Sequence, residues 1–150
     1  MEKIRTKPFK LYNPIGDEEV QAAIKVVKSG MLSDFIGAKY DDKCFGGKNV
    51  QKLEEMWAEY HKVKYAVSFN SATSALIASL GALKILPGEE VLVIGYSMCI
   101  SATAPLFYDA IPVFVDLEED FYCMDPSKIE EKITTRTKAI LPVDLFGQSS

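Results

Sequence analysis

The chain has 150 residues, of which 48% are hydrophobic and 25% are charged, a composition typical of a globular protein with a buried core. The net charge is -4 at pH 7 and the 17 basic residues are scattered, so nothing indicates nucleic acid or an anionic membrane as a partner. Three distant cysteines, a single histidine, and the lack of a signal peptide or membrane-spanning run predict a cytoplasmic protein without a disulfide framework or metal site.

The first third of the chain is predicted to contain an N-terminal arm and two amphipathic helices. The arm covers residues 1–16 and closes on the turn-forming sequence Asn-Pro-Ile-Gly. The first helix begins near Asp17, where three acidic residues favour the helix dipole, and it stops at Gly30. The second helix runs from about Val50 to Tyr60, with apolar side chains on one face.

Residues 30–49, between the two helices, form a long loop with four glycines and an apolar segment that begins at Met31. Long apolar loops are often functional, because disordered linkers are usually polar. A loop that simply packs over the hydrophobic core is the alternative, and the composition of the segment is compatible with both.

From residue 64 onward, short apolar segments alternate with helical ones. The predicted strands are 65–69, 91–94, 111–115 and 138–143, and the predicted helices are 74–86, 101–109 and 125–133. Alternation at this spacing indicates an α/β fold with a mostly parallel sheet and helices on both faces. Ligands of such sheets bind at the carboxyl ends of the strands, so the loops that follow these strands are expected to line the site.

The loop after the first of these strands has the features of an anion site. Residues 71–74, Ser-Ala-Thr-Ser, open a helix with free backbone N–H groups, hydroxyls and no bulk, which suits a phosphate. The loop contains neither the glycine fingerprint of dinucleotide sites nor a P-loop, so a single compact phosphate fits best. The alternative is that Asn70 or Ser71 only caps the helix, and spacing alone does not separate the two interpretations.

Seven segments of the chain have the order and spacing of one known family. They are Gly30–Ser33, Val63–Val67, Asn70–Leu76, Pro87–Val91, Ile111–Asp116, Thr137–Ile140 and Phe146–Gln148. In these segments the chain resembles the nucleotide-sugar aminotransferase family, the DegT/DnrJ/StrS group, whose members are similar in fold to aspartate aminotransferase and use pyridoxal 5′-phosphate (PLP). The resemblance implies that residues 17–150 are the N-terminal part of the large, PLP-binding domain.

The resemblance also implies which residues hold the cofactor. The residues that would bind its phosphate are Ala72, Thr73 and Ser74. Met98 stands where the family usually has an aromatic residue stacked on the pyridine ring, and its thioether is expected to cover the ring face. Tyr96 and Tyr40 are alternative sources of that stacking. Asp144 occupies a position where the family often has histidine, so the contact made there is open.

The reaction implied by the resemblance is the PLP-dependent transfer of an amino group from an amino acid, such as glutamate, to a nucleotide-linked keto sugar, as in polysaccharide biosynthesis. The residues that match the substrate end of the pocket are Met31, Leu32 and Ser33. The Schiff-base lysine and the acid that protonates the pyridine nitrogen are expected beyond Ser150, in a longer homodimeric enzyme. A sugar dehydratase of the same family, or a non-catalytic binding or regulatory protein on the same scaffold, are the alternatives.

Overall fold

The computed structural model of the chain describes residue 7 and residues 12–35 and 45–150. Much of the predicted arm, the middle of the loop 30–49 and Tyr40 lie outside the described residues. The chain divides into two compact units, a first unit (Met1–Val67) and a second unit (Ser68–Ser150). In the described ranges, no helix has both the length and the apolar character that crossing a membrane requires.

The first unit contains the two helices that the sequence predicts. Helix α1 spans Asp17–Ser29, and the Gly16 amide donates a hydrogen bond to Glu19 Oε2 at 2.7 Å, which caps its first turn. Gly30 ends α1 in the left-handed conformation, with φ at 70°. Helix α2 spans Lys48–His61, slightly more than predicted. Both helices are therefore confirmed.

Neither α1 nor α2 has a buried residue. The exposed large apolar side chains of α2 are Val50, Leu53, Met56, Trp57 and Tyr60. The Trp57 ring centroid lies 4.9 Å from that of His61 and 6.5 Å from that of Tyr60, so aromatic side chains near the end of the helix contact one another. The apolar face predicted for α2 exists, but the described residues do not bury it.

The second unit is built from three strands and three helices. Its elements in chain order are α3 (Ala72–Ala82), β1 (Glu90–Ile94), α4 (Ile100–Thr103), β2 (Ile111–Val115), α5 (Pro126–Ile129) and β3 (Thr137–Leu141). Single turns of 3-10 helix follow α4 and α5, at Pro105–Tyr108 and Glu130–Lys132. The strands form one parallel sheet in the order β2-β1-β3, so β1 is the central strand. The predicted parallel α/β architecture is confirmed.

One face of the sheet is covered by α3. Alternate residues of a strand point to opposite sides, and Val91 and Val93 of β1 point to this face. They form a buried cluster with Leu80 of α3 and with Ile85, which lies between α3 and β1. The hydroxyl of Tyr108 donates a hydrogen bond to the Ile77 carbonyl of α3 at 2.8 Å, and this bond ties the helix to the segment between β1 and β2.

The other face of the sheet carries a second buried cluster. Leu92 and Ile94 of β1 and Val115 of β2 form it together with Met124, and Ile129 of α5 packs against it. Helices therefore lie on both faces, as predicted. All five residues of β1 are buried, which agrees with the unbroken apolar run of this strand.

A polar cluster around the buried Glu90 joins β1 to β3 at their amino ends. Glu90, only 3% exposed, forms a salt bridge with Arg136 and accepts a hydrogen bond from the Thr134 hydroxyl. The Glu90 amide also donates to the Arg136 carbonyl at 2.8 Å. A buried carboxylate needs such partners, so these contacts help to fix the pairing of the two strands.

One predicted strand is wrong. Residues 65–69 belong to no strand in the described part of the chain, and the sheet consists of β1, β2 and β3 alone. Tyr65, Val67 and Phe69 are all exposed. Aromatic and β-branched residues favour an extended backbone. A strand also needs a neighbouring strand to pair with its backbone groups, and the local residue pattern does not show whether such a neighbour exists.

Several helix boundaries differ from the predictions because of local backbone chemistry. Helix α3 ends at Ala82, four residues early, and Lys84 follows in the left-handed conformation with φ at 56°. The helix predicted over 101–109 is α4 followed by a separate 3-10 turn, because Pro105 has no N–H to continue the α-helix. Strand β3 ends just before Pro142, which cannot donate to the ladder.

Candidate functional site

The carboxyl ends of the three parallel strands lie at one edge of the sheet, and the loops after Ile94, Val115 and Leu141 begin there. Helix α3 packs on β1 and leads through a turn to the start of that strand. An 11-residue helix and a 5-residue strand are each about 16 Å long, so the N-terminus of α3 lies at the same edge. We call this region the carboxyl edge. Open parallel sheets usually bind their ligands there.

The first turn of α3 combines a helix cap with free hydrogen-bond donors. Ser71 is the N-cap, and its Oγ accepts a hydrogen bond from the Ser74 amide and lies close to the Ser74 hydroxyl, both at 3.1 Å. In the described part of the chain, the amides of Ala72 and Thr73 donate to no protein group. The cap and the anion site, which the sequence left as alternatives, are therefore compatible.

The loops at the carboxyl edge contain only uncharged hydrogen-bond donors. The segments 65–83, 85–127 and 139–150 contain no lysine and no arginine. An anion at α3 would thus be held by the exposed amides of Ala72 and Thr73, by hydroxyls and by the positive end of the helix dipole.

Met98 lies in the loop between β1 and α4, and its side chain is 75% exposed. The Ser101 amide donates to the Met98 carbonyl at 3.0 Å, which fixes the backbone at this position. An exposed, polarizable thioether on a fixed backbone is suited to cover a ring. The structure thus places Met98 and the first turn of α3 at the same edge of the sheet.

Asp144 lies at the start of the loop after β3, also at the carboxyl edge. Hydrogen bonds from the Ser150 amide at 2.8 Å and from the Ser150 hydroxyl at 2.9 Å hold the pKa of the Asp144 carboxyl below its usual range. The group is therefore a carboxylate at neutral pH, an acceptor where histidine would offer a ring nitrogen.

The predicted substrate residues belong to the first unit. Met31, Leu32 and Ser33 are exposed residues just after α1, and they line an open groove of about 1380 Å³ between α1 and the start of α2. The next residue, Asp34, packs closely against Gly47, where a Cβ would lie 2.7 Å from the Asp34 Cβ. Gly47 therefore provides the space that the end of this loop occupies.

One group of residues at the carboxyl edge is not predicted as a set by the sequence. The rings of Tyr122 and Phe146 both contact the ring of Tyr96. Of the three, the sequence indicates only Tyr96, as a possible stacking residue. The sequence signal for this group is the Phe-Gly pair in a short loop. Such turns usually contain Asn-Gly or Gly-Gly, so a phenylalanine there is unusual.

The residues present fit the phosphate end of PLP. Helix N-termini with unpaired amides bind compact anions, and the Thr73 hydroxyl adds a further donor. The absence of Cβ branching at Ala72 lets the anion approach the backbone. At the same edge, Met98 is available to the ring side of a ligand anchored at α3.

The chain matches the DegT/DnrJ/EryC1/StrS aminotransferase family over residues 16–150. It is 43% identical over 113 residues to a UDP-N-acetyl-3-dehydro-alpha-D-glucosamine 3-aminotransferase of Acidithiobacillus ferrooxidans, covering 75% of this chain and 31% of the relative. It is 36% identical over 108 residues to the 3-oxo-glucose-6-phosphate:glutamate aminotransferase of Bacillus subtilis, covering 72% of this chain and 24% of the relative.

The fold is similar to that of NtdA from Bacillus subtilis, solved with bound cofactor PMP. The TM-score is 0.76 at 28% identity, and the match covers 99% of this chain and 33% of the other. The chain therefore spans about a third or less of the length of these relatives. A family match over most of the chain, together with a shared fold, settles its membership. The chain belongs to the DegT/DnrJ/EryC1/StrS aminotransferase family.

Proposed function

We propose that the full-length protein is a PLP-dependent aminotransferase that acts on a nucleotide-linked keto sugar. The observation that carries the proposal is the first turn of α3, where the amides of Ala72 and Thr73 are free at the carboxyl edge of a parallel sheet. Family membership supports the same activity, because relatives over this region are named as aminotransferases.

The first turn of α3 binds the phosphate of the cofactor in this proposal. The amides of Ala72 and Thr73 and the hydroxyls of Thr73 and Ser74 donate hydrogen bonds to its oxygens. Ser71 keeps the Ser74 amide capped, so the helix start is held in shape before the ligand arrives. When bound, PLP supplies an electrophilic carbon for amines and a ring that accepts electrons. The uncharged donors of this turn hold the phosphate, and they include no lysine.

Met98 covers one face of the cofactor ring. A methionine sulfur interacts favourably with aromatic rings, although its flexible side chain orients them less strictly than a stacked aromatic ring does. The Ser101 amide donates to the Met98 carbonyl and so anchors the backbone from which this side chain extends. The groups that form the Schiff base and protonate the pyridine nitrogen are proposed to lie outside these 150 residues.

Met31, Leu32 and Ser33 are proposed to contact the substrate, and glutamate is proposed as the amino donor. Support for a nucleotide-linked keto sugar comes from the relative named for a UDP-linked substrate, and support for glutamate comes from the relative named for that donor. We further propose a cytoplasmic homodimer. The exposed apolar side chains of Met31, Leu32 and Phe35, at 56%, 75% and 62%, are candidates for its contact surface.

A sugar dehydratase is the second candidate function, and Met98 is the observation that favours it. A ring held by a thioether instead of a stacked aromatic residue departs from the family pattern. The residue at the Schiff-base position of the full-length protein separates the two candidates, since lysine supports transamination and histidine supports dehydration.

The test uses the full-length protein. Purified protein incubated with PLP is expected to show the visible absorption band of lysine-bound cofactor, and borohydride reduction is expected to attach one cofactor per chain, read by mass spectrometry. Glutamate and a UDP-linked keto sugar should then give an amino sugar and 2-oxoglutarate. Absence of both the band and the reduced adduct would overturn the proposal, and an adduct without amino-sugar formation would exclude transamination of that sugar.

A further inference from the structure

Three aromatic side chains from three different loops meet at the carboxyl edge of the sheet. Tyr96 follows β1, Tyr122 follows β2 and Phe146 follows β3. The Tyr96 ring centroid lies 6.1 Å from that of Tyr122 and 6.3 Å from that of Phe146, with interplanar angles of 53° and 44°. The three residues are 51%, 53% and 80% exposed. We call them the aromatic trio. Among the described residues they form an exposed surface of tilted rings.

Two members of the trio occupy backbone positions that aromatic residues rarely adopt. Phe146 and Gly147 have φ of 54° and 81°, and the Gln148 amide donates to the Leu145 carbonyl at 2.8 Å. This is the pattern of a type I′ turn, for which Asn-Gly is the favoured pair. A bulky side chain in the left-handed region costs conformational energy, and such positions concentrate at functional sites.

Tyr122 repeats the feature in a second loop. Its φ is 60°, and it lies in a turn closed by a hydrogen bond from the Glu118 amide to the Cys123 carbonyl at 3.0 Å. Asparagine or glycine would fit this position at lower cost. In two loops, the residue whose ring contacts Tyr96 therefore has an unfavourable, left-handed backbone conformation. Local turn preference does not explain the choice of aromatic residues at these positions.

The surroundings of the trio favour a neutral ring as its ligand. No lysine or arginine occurs in residues 85–127 or 139–150, and the segments that carry Tyr122 and Phe146 also carry the carboxylates of Asp116, Glu118 and Asp144. An uncharged planar ring gains here from stacking and from edge-to-face contacts, and it needs no charged partner. The hydroxyls of Tyr96 and Tyr122 are available for hydrogen bonds to the edge of such a ring.

The loops that carry Tyr122 and Phe146 and the helix α3 pack on opposite faces of the sheet. The loops that carry Tyr122 and Phe146 are anchored by Leu117, Met124 and Leu145, which pack in the cluster of Leu92 and Ile94. Helix α3 packs in the other cluster. We therefore assign the trio to a second planar ring and not to the ring of a cofactor anchored at α3.

We propose that the aromatic trio is the stacking surface for the nucleobase of the nucleotide-linked substrate. This inference rests on the proposed function and adds to it the residues that contact the base. Base–aromatic stacking tolerates different bases, so the trio contributes affinity and orientation, and it distinguishes nucleotide-linked substrates from sugar phosphates that carry no base.

The experiment measures binding of UDP, GDP and inorganic pyrophosphate to the full-length, PLP-loaded protein by calorimetry. The test variants are Phe146→Asn and Tyr122→Asn, in which asparagine suits the left-handed backbone and should preserve the fold. Phe107→Asn is the matched control, because Phe107 is 65% exposed but lies outside the trio. Thermal unfolding of each variant verifies that folding is intact.

We expect UDP or GDP to bind the parent protein and each test variant to weaken that binding about tenfold, as loss of one stacked ring does. The Kd of pyrophosphate should be the same in the parent and the test variants. The Kd of UDP or GDP should be the same in the parent and the control variant. No nucleotide binding by the parent, an unchanged Kd in both test variants, or equal weakening of pyrophosphate would overturn the proposal. A shifted PLP absorption band with unchanged nucleotide binding would also overturn it, in favour of the cofactor ring.

Failure of the proposed function has a different signature. A full-length protein without a PLP band or borohydride adduct would contradict the aminotransferase proposal. In that case the calorimetry would still report whether nucleotide binding depends on Phe146 and Tyr122, because it reads binding and not turnover.

Discussion

The two compact units of the chain differ in how far they bury their apolar side chains. In the second unit every residue of β1 is buried, and α3 and α5 cover opposite faces of the sheet. In the first unit neither α1 nor α2 has a buried residue, and Trp57 is 57% exposed. Both units contain many apolar residues, so composition does not explain the difference.

Geometry explains it. A central parallel strand presents side chains to both faces, and the helices of the same βα units pack on those faces. An amphipathic helix offers a single face, and most of its stability in proteins comes from whatever packs on that face. The second unit therefore has a core of its own, and α3, whose first turn is the proposed anion site, packs on that core. The predictions below test this difference from the largest expected effect to the smallest.

The largest effect is expected from the same truncation made once in each unit. Leu92→Ala removes a fully buried side chain and should lower the free energy of unfolding by about 3 kcal/mol, through lost burial and a new cavity. Leu53→Ala, at a position that is 53% exposed, should cost less than about 1 kcal/mol. Urea unfolding of the full-length protein measures both. Equal losses of unfolding free energy in the two variants would contradict the difference between the units and would show that the apolar face of α2 is covered in the full-length protein.

A smaller effect is expected at Gly81, where α3 meets Tyr108. A Cβ at this position overlaps the Tyr108 hydroxyl, which donates to the Ile77 carbonyl. Gly81→Ala should cost about 2 kcal/mol, because overpacking and the lost hydrogen bond outweigh the better helix propensity of alanine.

The control for Gly81→Ala is the same change in a Tyr108→Phe background, measured by the same unfolding experiment. Removing the hydroxyl oxygen relieves the overlap, so the cost should fall clearly in the double variant. An unchanged cost would rule out the overlap as its cause.

The anion site should respond to the loss of one hydroxyl. Thr73→Val keeps the shape of the side chain but removes a donor to the phosphate, so the Kd of PLP for the full-length apoprotein should rise about tenfold. Ser79→Ala is the matched control on α3, since the Ser79 hydroxyl donates to the Ala75 carbonyl at 2.8 Å. Absorption titration with PLP reads both variants. Equal Kd values for parent and Thr73→Val would remove Thr73 from the site.

The smallest effect concerns helix caps, one in each unit. Hydrogen bonds from Ser127 lower the pKa of Asp125, the N-cap of α5, and a hydrogen bond from the Gly16 amide lowers the pKa of Glu19 in α1. Each lowered pKa contributes stability at neutral pH, and that stability is lost as the pH falls through the native-state pKa. Asp125→Asn and Glu19→Gln should therefore reduce the dependence of unfolding on pH below about pH 4.

Thermal unfolding of the parent and the two cap variants, recorded from neutral to acidic pH, measures this effect. Both carboxylates are at the surface, so each change should be slight and similar in the two units. A steeper acid-side loss of stability in either variant would contradict the sign of the pKa shift.

Much of the second unit was predictable because its signals are local. Asp125-Pro126 predicts a helix start, and the structure shows Asp125 Oδ1 accepting from the Ser127 amide at 2.8 Å. The apolar run of β1 predicted a strand covered on both faces. The anion site at residues 71–74 stays a prediction from residue type and position; among the described residues, the structure shows that Ser71 is the cap while the amides of Ala72 and Thr73 have no protein partner.

By itself the sequence determined the alternation of strands and helices and the helix caps, because each depends on residues within a few positions of one another. Only the tertiary structure decided that 65–69 is not a strand, that β1 is the central strand, and that Tyr96, Tyr122 and Phe146 meet. These features depend on pairing between segments far apart in the chain, about which local periodicity carries no information.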